Sequence, residues 1–123
     1  MQTIKAITIL QPWASAIVRG VKRYETRSWA TSYRGIIAIH AGKKKVAHTC
    51  AQPKTYGAIL AIADLIECIP TIAIALTPED TLWGDFRPGR FAWVIQNVCP
   101  LEHPLPWSGQ QGLWNIPLEA LGL

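Results

Sequence analysis

The stretch Gln11–Arg27, QPWASAIVRGVKRYETR, decides how the rest of the chain is read. Pro12 suits a first helical turn, where a missing N–H costs nothing. Trp13, Ile17 and either Ala16 or Gly20 recur at helical spacing, and Gly20 stands where a left-handed C-cap is wanted. The pattern predicts a short helix over 12–19, a turn at Val21-Lys22, and a strand over about 23–28. Four charged residues sit there: Lys22, Arg23, Glu25 and Arg27. In an extended 23–27 segment, Arg23, Glu25 and Arg27 share one face, and Tyr24 and Thr26 the other. Lys22 meets Glu25 only if it lies in the turn just after Gly20.

Working outward, Lys5–Leu10 reads as a strand, with Ile7 and Ile9 alternating against Ala6 and Thr8. Gly35–His40 reads as a strand buried on both faces through Ile36, Ile37 and Ile39. Residues 41–56 read as a loop carrying Lys43-Lys44-Lys45, and Gly57–Ile69 as a long central strand. Thr77-Pro78-Glu79-Asp80 has a capping threonine, an early proline and acids in the first turn, and Gly84 limits that helix to one or two turns. Arg87-Pro88-Gly89 is a turn. Arg90–Val98 is a strand with Phe91, Trp93 and Ile95 on one face. The prolines of Pro100–Pro106 exclude a central strand. Leu113–Ile116 closes the pattern as a short strand, with a helical turn over Pro117–Leu121. Five or six short strands with short peripheral helices make this an α+β chain and a small mixed barrel. At 123 residues it is one domain, 1–123, large enough to bury roughly two-thirds of its unfolded surface.

The run Gly20-x-Lys22-x-x-Glu25-x-Arg27 resembles the GxKxxExR signature of the ASCH domain, a family of the PUA-like superfamily of small β-barrels. Gln11-Pro12-Trp13, Tyr33-Arg34-Gly35 and the strand ending in His40-Ala41 also resemble small bacterial and phage-type members; Gly112-Leu113-Trp114 does so less specifically. The resemblance covers nearly the whole chain. It implies a PUA-like fold and a partner that is RNA or a nucleotide or nucleoside. Some small members are amidohydrolases on N4-acetylated cytidine and others have been proposed as ribonucleases. The amidohydrolase branch resembles GxKxxTxR, with threonine where this chain has Glu25. The domain's founding family works in transcriptional coactivation, which implies a protein partner. Members often carry a longer helical insertion in the 41–56 loop, so this chain looks trimmed.

The charge is uneven. Residues 1–54 hold ten basic residues against Glu25 alone, net +9, and residues 55–123 hold Arg87 and Arg90 against seven acids, net −5. Such asymmetry can mark a polyanion-binding face, and equally a merely soluble basic protein. Three cysteines without a CxxC argue against a disulfide framework or zinc ribbon and for a reducing compartment. His40, His48 and Cys50 match no standard zinc spacing, so neither metal nor cofactor is expected. The apolar run Gly57–Leu76 contains Asp64, Glu67 and Pro70, which are costly in lipid. With no targeting segment visible, the cytoplasm is the expected location.

Lys22 leads the candidate site residues: as a donor to a phosphate or carbonyl, or, once desolvated, as a base or nucleophile. Against that stands an ordinary turn lysine. Glu25 and Arg27 are either a structural ion pair or a base- and phosphate-reading pair. In a hydrolytic site, the carboxylate beside Lys22 would be Glu25, Glu79 or Asp80. Most of the six tryptophans belong in a core. Trp29 with Tyr33 is the first candidate for a stacking platform and Trp83 the second. Arg34 and Lys43-Lys44-Lys45 are candidate phosphate contacts, although a lysine run is commonly just solvated. Ser15 and Ser108 lie in no GxSxG motif, which discounts a triad. Oligomeric state is not legible.

Overall fold

A computed structural model describes residues 2–45 and 55–122. In chain order it contains strand β1 (Thr3–Ile9), helix α1 (Trp13–Val18), and strands β2 (Tyr24–Arg27), β3 (Gly35–Ala41) and β4 (Ala58–Pro70). Strands β5 (Phe91–Pro106) and β6 (Leu113–Pro117) follow, with 3₁₀ turns at Thr71–Ala73, Asp80–Leu82 and Leu118–Leu121. The six strands form one mixed sheet in the order β2-β5-β4-β3-β1-β6. Only β1 and β3 run parallel, and the α1–β2 segment supplies the crossover that a parallel pair needs. The expected PUA-like α+β fold is present as a curled six-stranded sheet. Its end strands, β2 and β6, are not paired with each other, so no closed backbone ladder forms a barrel.

Irregularities supply the curl. The β4–β5 ladder shifts register at three places, and β3–β4 shifts once. Each bulge bends its strand and increases the local twist. Asn97 takes a positive φ of 55° at one shift, where its side chain donates to Asp64 at 2.9 Å. The prolines at 100, 104 and 106 are excluded from a central strand as expected, but the strand expected over 90–98 is longer than the sequence suggested. They do not end the strand: β5 continues to Pro106. They are tolerated because β2 pairs only with Phe91–Val94, leaving the later part of β5 with β4 on one side and an edge on the other.

Two apolar clusters lie on opposite faces. One gathers Ile7, Ile9, Ile37, Ile39, Leu65 and Trp93 under α1; the other gathers Ala6, Ala38, Ile59, Trp114 and Ile116. The period of two in β1 and β3 produces this division. Phe91, Trp93 and Ile95 share the first cluster as expected. Ile36 departs from expectation and is exposed near the start of β3.

Local chemistry fixes both ends of α1. Pro12 has no side-chain donor or acceptor for capping, and Gln11 supplies it: its Oε1 accepts the Ser15 N–H at 2.9 Å and its Nε2 donates to Ser15 Oγ at 2.8 Å. Gly20 adopts φ +81°, which glycine tolerates best. The chain then folds back so that the N–H groups of Val21 and Lys22 both donate to the Ala16 carbonyl, at 3.1 and 3.2 Å. Lys22 is thereby placed in the turn, as its meeting with Glu25 requires.

The long β4–β5 excursion is pinned by Asp80. Its carboxylate takes two hydrogen bonds from Arg23, one at 2.9 Å, and accepts the Thr77 N–H at 2.9 Å; Thr77 Oγ1 returns the bond by accepting the Asp80 N–H. The Arg23 guanidinium is the main reason that the Asp80 carboxyl lies well below the usual carboxylate range. A depressed folded-state value means stabilisation that is present above the unfolded value of about 4 and lost as pH falls below it. Arg23→Ala should therefore lower the unfolding free energy at pH 7 by about 1–2 kcal/mol, a charged hydrogen bond discounted for Arg23's exposure. Urea titrations should show that deficit shrinking as pH drops below about 4. A second variant probes the core: Trp93→Ala should cost about 3–5 kcal/mol in the same titrations.

Candidate functional site

A cavity of about 570 Å³ opens where the end of β1 faces β2. Thr8, Ile9 and Leu10 form one wall with Trp13 of α1; Lys22, Glu25 and Arg27 form the other. The segment Leu82–Asp85, together with Arg90, covers it.

Its polar floor is a network centred on Glu25. Lys22 is 4% exposed and Glu25 7%. Lys22 Nζ stands 3.5 Å from Glu25 Oε1 and also donates to the Trp83 carbonyl. Arg27 donates from Nε to Glu25 Oε2 at 3.0 Å, and its Nη2 forms an ion pair with the same oxygen at 2.9 Å. The same Arg27 Nη2 donates to the Thr8 carbonyl at 2.8 Å, reaching from β2 to β1. Glu25 and Arg27 thus share a face, as strand parity requires. Burial pushes the Lys22 ammonium below its ordinary pKa; Glu25 pulls upward against this, and Arg27 adds to the lowering. Chemically, the arrangement offers a desolvated amine beside a carboxylate, with an arginine fixing that carboxylate.

Of the sequence candidates, Lys22, Glu25, Arg27 and Trp83 come together. Trp29 and Tyr33 do not join them. Trp29 packs edge-on against Trp93, with centroids 4.8 Å apart, and the Tyr33 hydroxyl donates to the Ile36 carbonyl. Arg34 pairs with Glu67 at 2.8 Å on the surface. Glu79 is exposed and does not line the cavity, while Asp80 is buried and held by Arg23. Glu25 is therefore the carboxylate that meets Lys22. Lys43 lines a different recess, and Lys44 and Lys45 are exposed. His48 and Cys50 lie outside the described residues; His40 is buried and bonds the Trp107 carbonyl through Nε2.

Sequence reasoning missed Trp13, Arg90 and Asp85 as parts of the cavity. Asp85 takes Arg87 at 2.6 Å and approaches Arg90 at 3.6 Å, while its N–H donates to Thr26 Oγ1 at 3.1 Å. The Trp83-Gly84-Asp85 run was the available signal. A Cβ at Gly84 would come within 2.9 Å of the Phe86 ring and 3.3 Å of Thr26, so the cover needs glycine to lie this close to β2. The charge asymmetry also resolves differently. Arg23 and Arg34 from the basic half pair with Asp80 and Glu67 from the acidic half, so part of the imbalance is internal complementarity. The cavity itself holds three cations against two carboxylates, for a net +1.

No described helix is long and apolar enough to cross a membrane. The family model for the ASCH domain matches residues 7–103. Activating signal cointegrator 1 from Homo sapiens is 30% identical over 89% of this chain, and its Mus musculus counterpart is 36% identical over 89%. The chain spans 22% of the length of either relative. The crystal structure of ASCH from Zymomonas mobilis superposes with a TM-score of 0.63 at 15% identity, covering 96% of this chain and 90% of that one. A tyrosine-to-phenylalanine mutant of the same protein gives a TM-score of 0.62 at 15% identity, covering 96% and 93%. With the family model matching most of its length and its sheet superposing on a solved member, this chain belongs to the ASCH domain family.

Proposed function

We propose that this ASCH domain binds RNA or a nucleotide by seating one base-sized group in the cavity between β1, β2 and the 82–85 cover. The observation that carries the reading is the buried Lys22–Glu25–Arg27 network on the floor of a cavity flanked by Trp13 and Trp83. The volume falls within the range of small-molecule sites, and a few convergent polar groups among apolar walls are their usual make-up. Lys22 is the donor for a carbonyl or phosphate oxygen. Glu25 offers acceptors to an amino group, and the tryptophans offer apolar faces. Arg27 holds Glu25 in place while tying it to β1. We place this activity in the cytoplasm, the location the sequence leads one to expect.

Lys22→Ala and Arg27→Ala should each weaken nucleotide or RNA binding by about 10–100-fold, the worth of a charged hydrogen bond. Fluorescence anisotropy with labelled RNA over a salt series checks this, with denaturation of each variant as the folding control. Binding of wild type that ignores salt, or an unaltered affinity in both folded variants, would remove the reading.

A second reading is favoured by one specific observation, a buried lysine 3.5 Å from a carboxylate, whose burial pushes its pKa down. Here Lys22 activates the nucleophile for amide hydrolysis on an N4-acylated cytidine-type nucleoside, or for RNA cleavage, and Glu25 carries the proton. The two readings have opposite pH signs. An ammonium that grips an oxygen is lost as pH rises through the lowered Lys22 pKa, so binding weakens. A neutral amine that acts as a base appears over the same interval, so turnover rises. N4-acetylcytidine followed by ultraviolet absorbance between pH 6 and 10, beside Lys22→Ala, separates them. Lysine-dependent turnover growing with pH supports hydrolysis; its absence, with affinity falling as pH rises, supports binding alone.

A further inference from the structure

A second recess is linked to the first through the backbone. The end of β1 that walls the Lys22 cavity continues sideways through three backbone hydrogen bonds. Gly42 N–H donates to the Ile9 carbonyl at 2.9 Å, Gly57 to Ala41 at 2.8 Å, and Trp107 to Gly57 at 3.1 Å. This path ends at a recess of about 540 Å³ lined by Lys43, Gly57, Pro106, Trp107 and Ser108. Among the described residues no carboxylate lines it. Lys44 and Lys45 follow Lys43 on the exposed surface, and the Lys45 ammonium lies over the Tyr56 ring, 5.5 Å from its centroid.

The recess is built rather than incidental. The Lys43 stem lies so close over Gly57 that a Cβ there would stand 2.9 Å from Lys43 Cγ. Gly57 has φ +65°, which disfavours any side chain at that position. Trp107 is fixed at both ends of its backbone: its N–H goes to Gly57, and its carbonyl accepts His40 Nε2 at 2.7 Å. Its indole packs partly against the second core cluster and otherwise borders the recess. Cations, a fixed aromatic and no competing anion are the ingredients of a sequence-tolerant strand-binding surface.

We infer that this recess is a second nucleic-acid contact: a single strand with one nucleotide in the Lys22 cavity lays its adjoining phosphates on Lys43, Lys44 and Lys45 and a neighbouring base on Trp107. The inference rests on the reading of the cavity given above and narrows it. The occupant is an oligonucleotide, because a free nucleoside in the cavity has nothing to offer a second site across Gly42.

The test compares a labelled single-stranded RNA hexamer with a nucleoside monophosphate, on wild type, Lys22→Ala and the triple variant Lys43→Ala/Lys44→Ala/Lys45→Ala. All three lysines are exposed, so the triple variant should fold. Wild type should bind the hexamer at least tenfold more tightly than the monophosphate. The triple variant should lose that advantage, reduce the salt dependence of log affinity by about 2, and bind the monophosphate within twofold of wild type. Trp107→Ala should cost the hexamer a further fivefold or more, with Trp107→Phe recovering most of it. Hexamer binding unchanged in the triple variant overturns the inference. Hexamer binding that still depends on the three lysines, with no protein binding the monophosphate and Lys22→Ala neutral, would instead unseat the cavity reading and leave the lysine surface standing.

Discussion

A buried carboxylate sets the terms for the rest of this molecule. Glu25 lies on a strand of four residues, and its charge is costly there unless it is paired and hydrogen-bonded. Arg27 and Lys22 supply the pairing, and each is also committed to something else. Arg27 bonds the Thr8 carbonyl of β1, and Lys22 bonds the Trp83 carbonyl of the 82–85 cover. One side chain therefore couples the turn after α1, strand β2, strand β1 and the cover. Substituting one cation leaves Glu25 to the other and releases a distant segment, so local chemistry and site shape cannot be varied independently here.

The position of this network follows from the open sheet. Pairing of β1 with β6 ends at Ile7. The next carbonyl, that of Thr8, is the one Arg27 takes. Where the backbone ladder stops, a side chain from the opposite end of the sheet continues the bonding, and the gap it leaves between β1 and β2 is the cavity. A fully closed barrel would have filled this place with backbone pairs. The short length of β2 is thus part of the site, since it leaves room for Lys22 in the turn before it and for the Leu82–Asp85 segment above it.

Much of this was legible in residues 11–27. The helix, the Gly20 stop, the turn placement of Lys22 and the shared face of Glu25 and Arg27 are all local consequences of 3.6- and 2-residue periods and of glycine's freedom at positive φ. The capping exchange between Thr77 and Asp80 was equally local. What could not be read depends on contacts distant in sequence. Whether Trp29 or Trp13 faces the cavity is decided by which of them Trp93 claims, and Trp93 lies in a strand more than sixty residues later. The prolines of β5 were rightly read as excluding a central position, but that the strand runs on past Val98 as an edge is a property of the assembled sheet. Asp80 and Glu25 look alike as carboxylates near basic residues. Only the fold assigns Arg23 to the first and Lys22 with Arg27 to the second.

The same reasoning changes the meaning of the charge asymmetry. Read along the chain, a half of net +9 beside a half of net −5 looks like a basic face. In three dimensions the acidic half supplies Asp80 and Glu67 to neutralise Arg23 and Arg34, and Glu25 takes up Lys22 and Arg27. The cations that end without an ion pair among the described residues include Lys43, Lys44 and Lys45, and they gather at one end of β3. Charges already paired within a fold contribute little long-range attraction, whereas exposed unpaired ones retain it and are screened by salt. If the chain binds a polyanion as proposed, the exposed lysine run contributes more to long-range attraction than the buried network, whose charges are already paired. On that proposal, capture and recognition would fall to two surfaces linked through the backbone bonds of Gly42, Gly57 and Trp107.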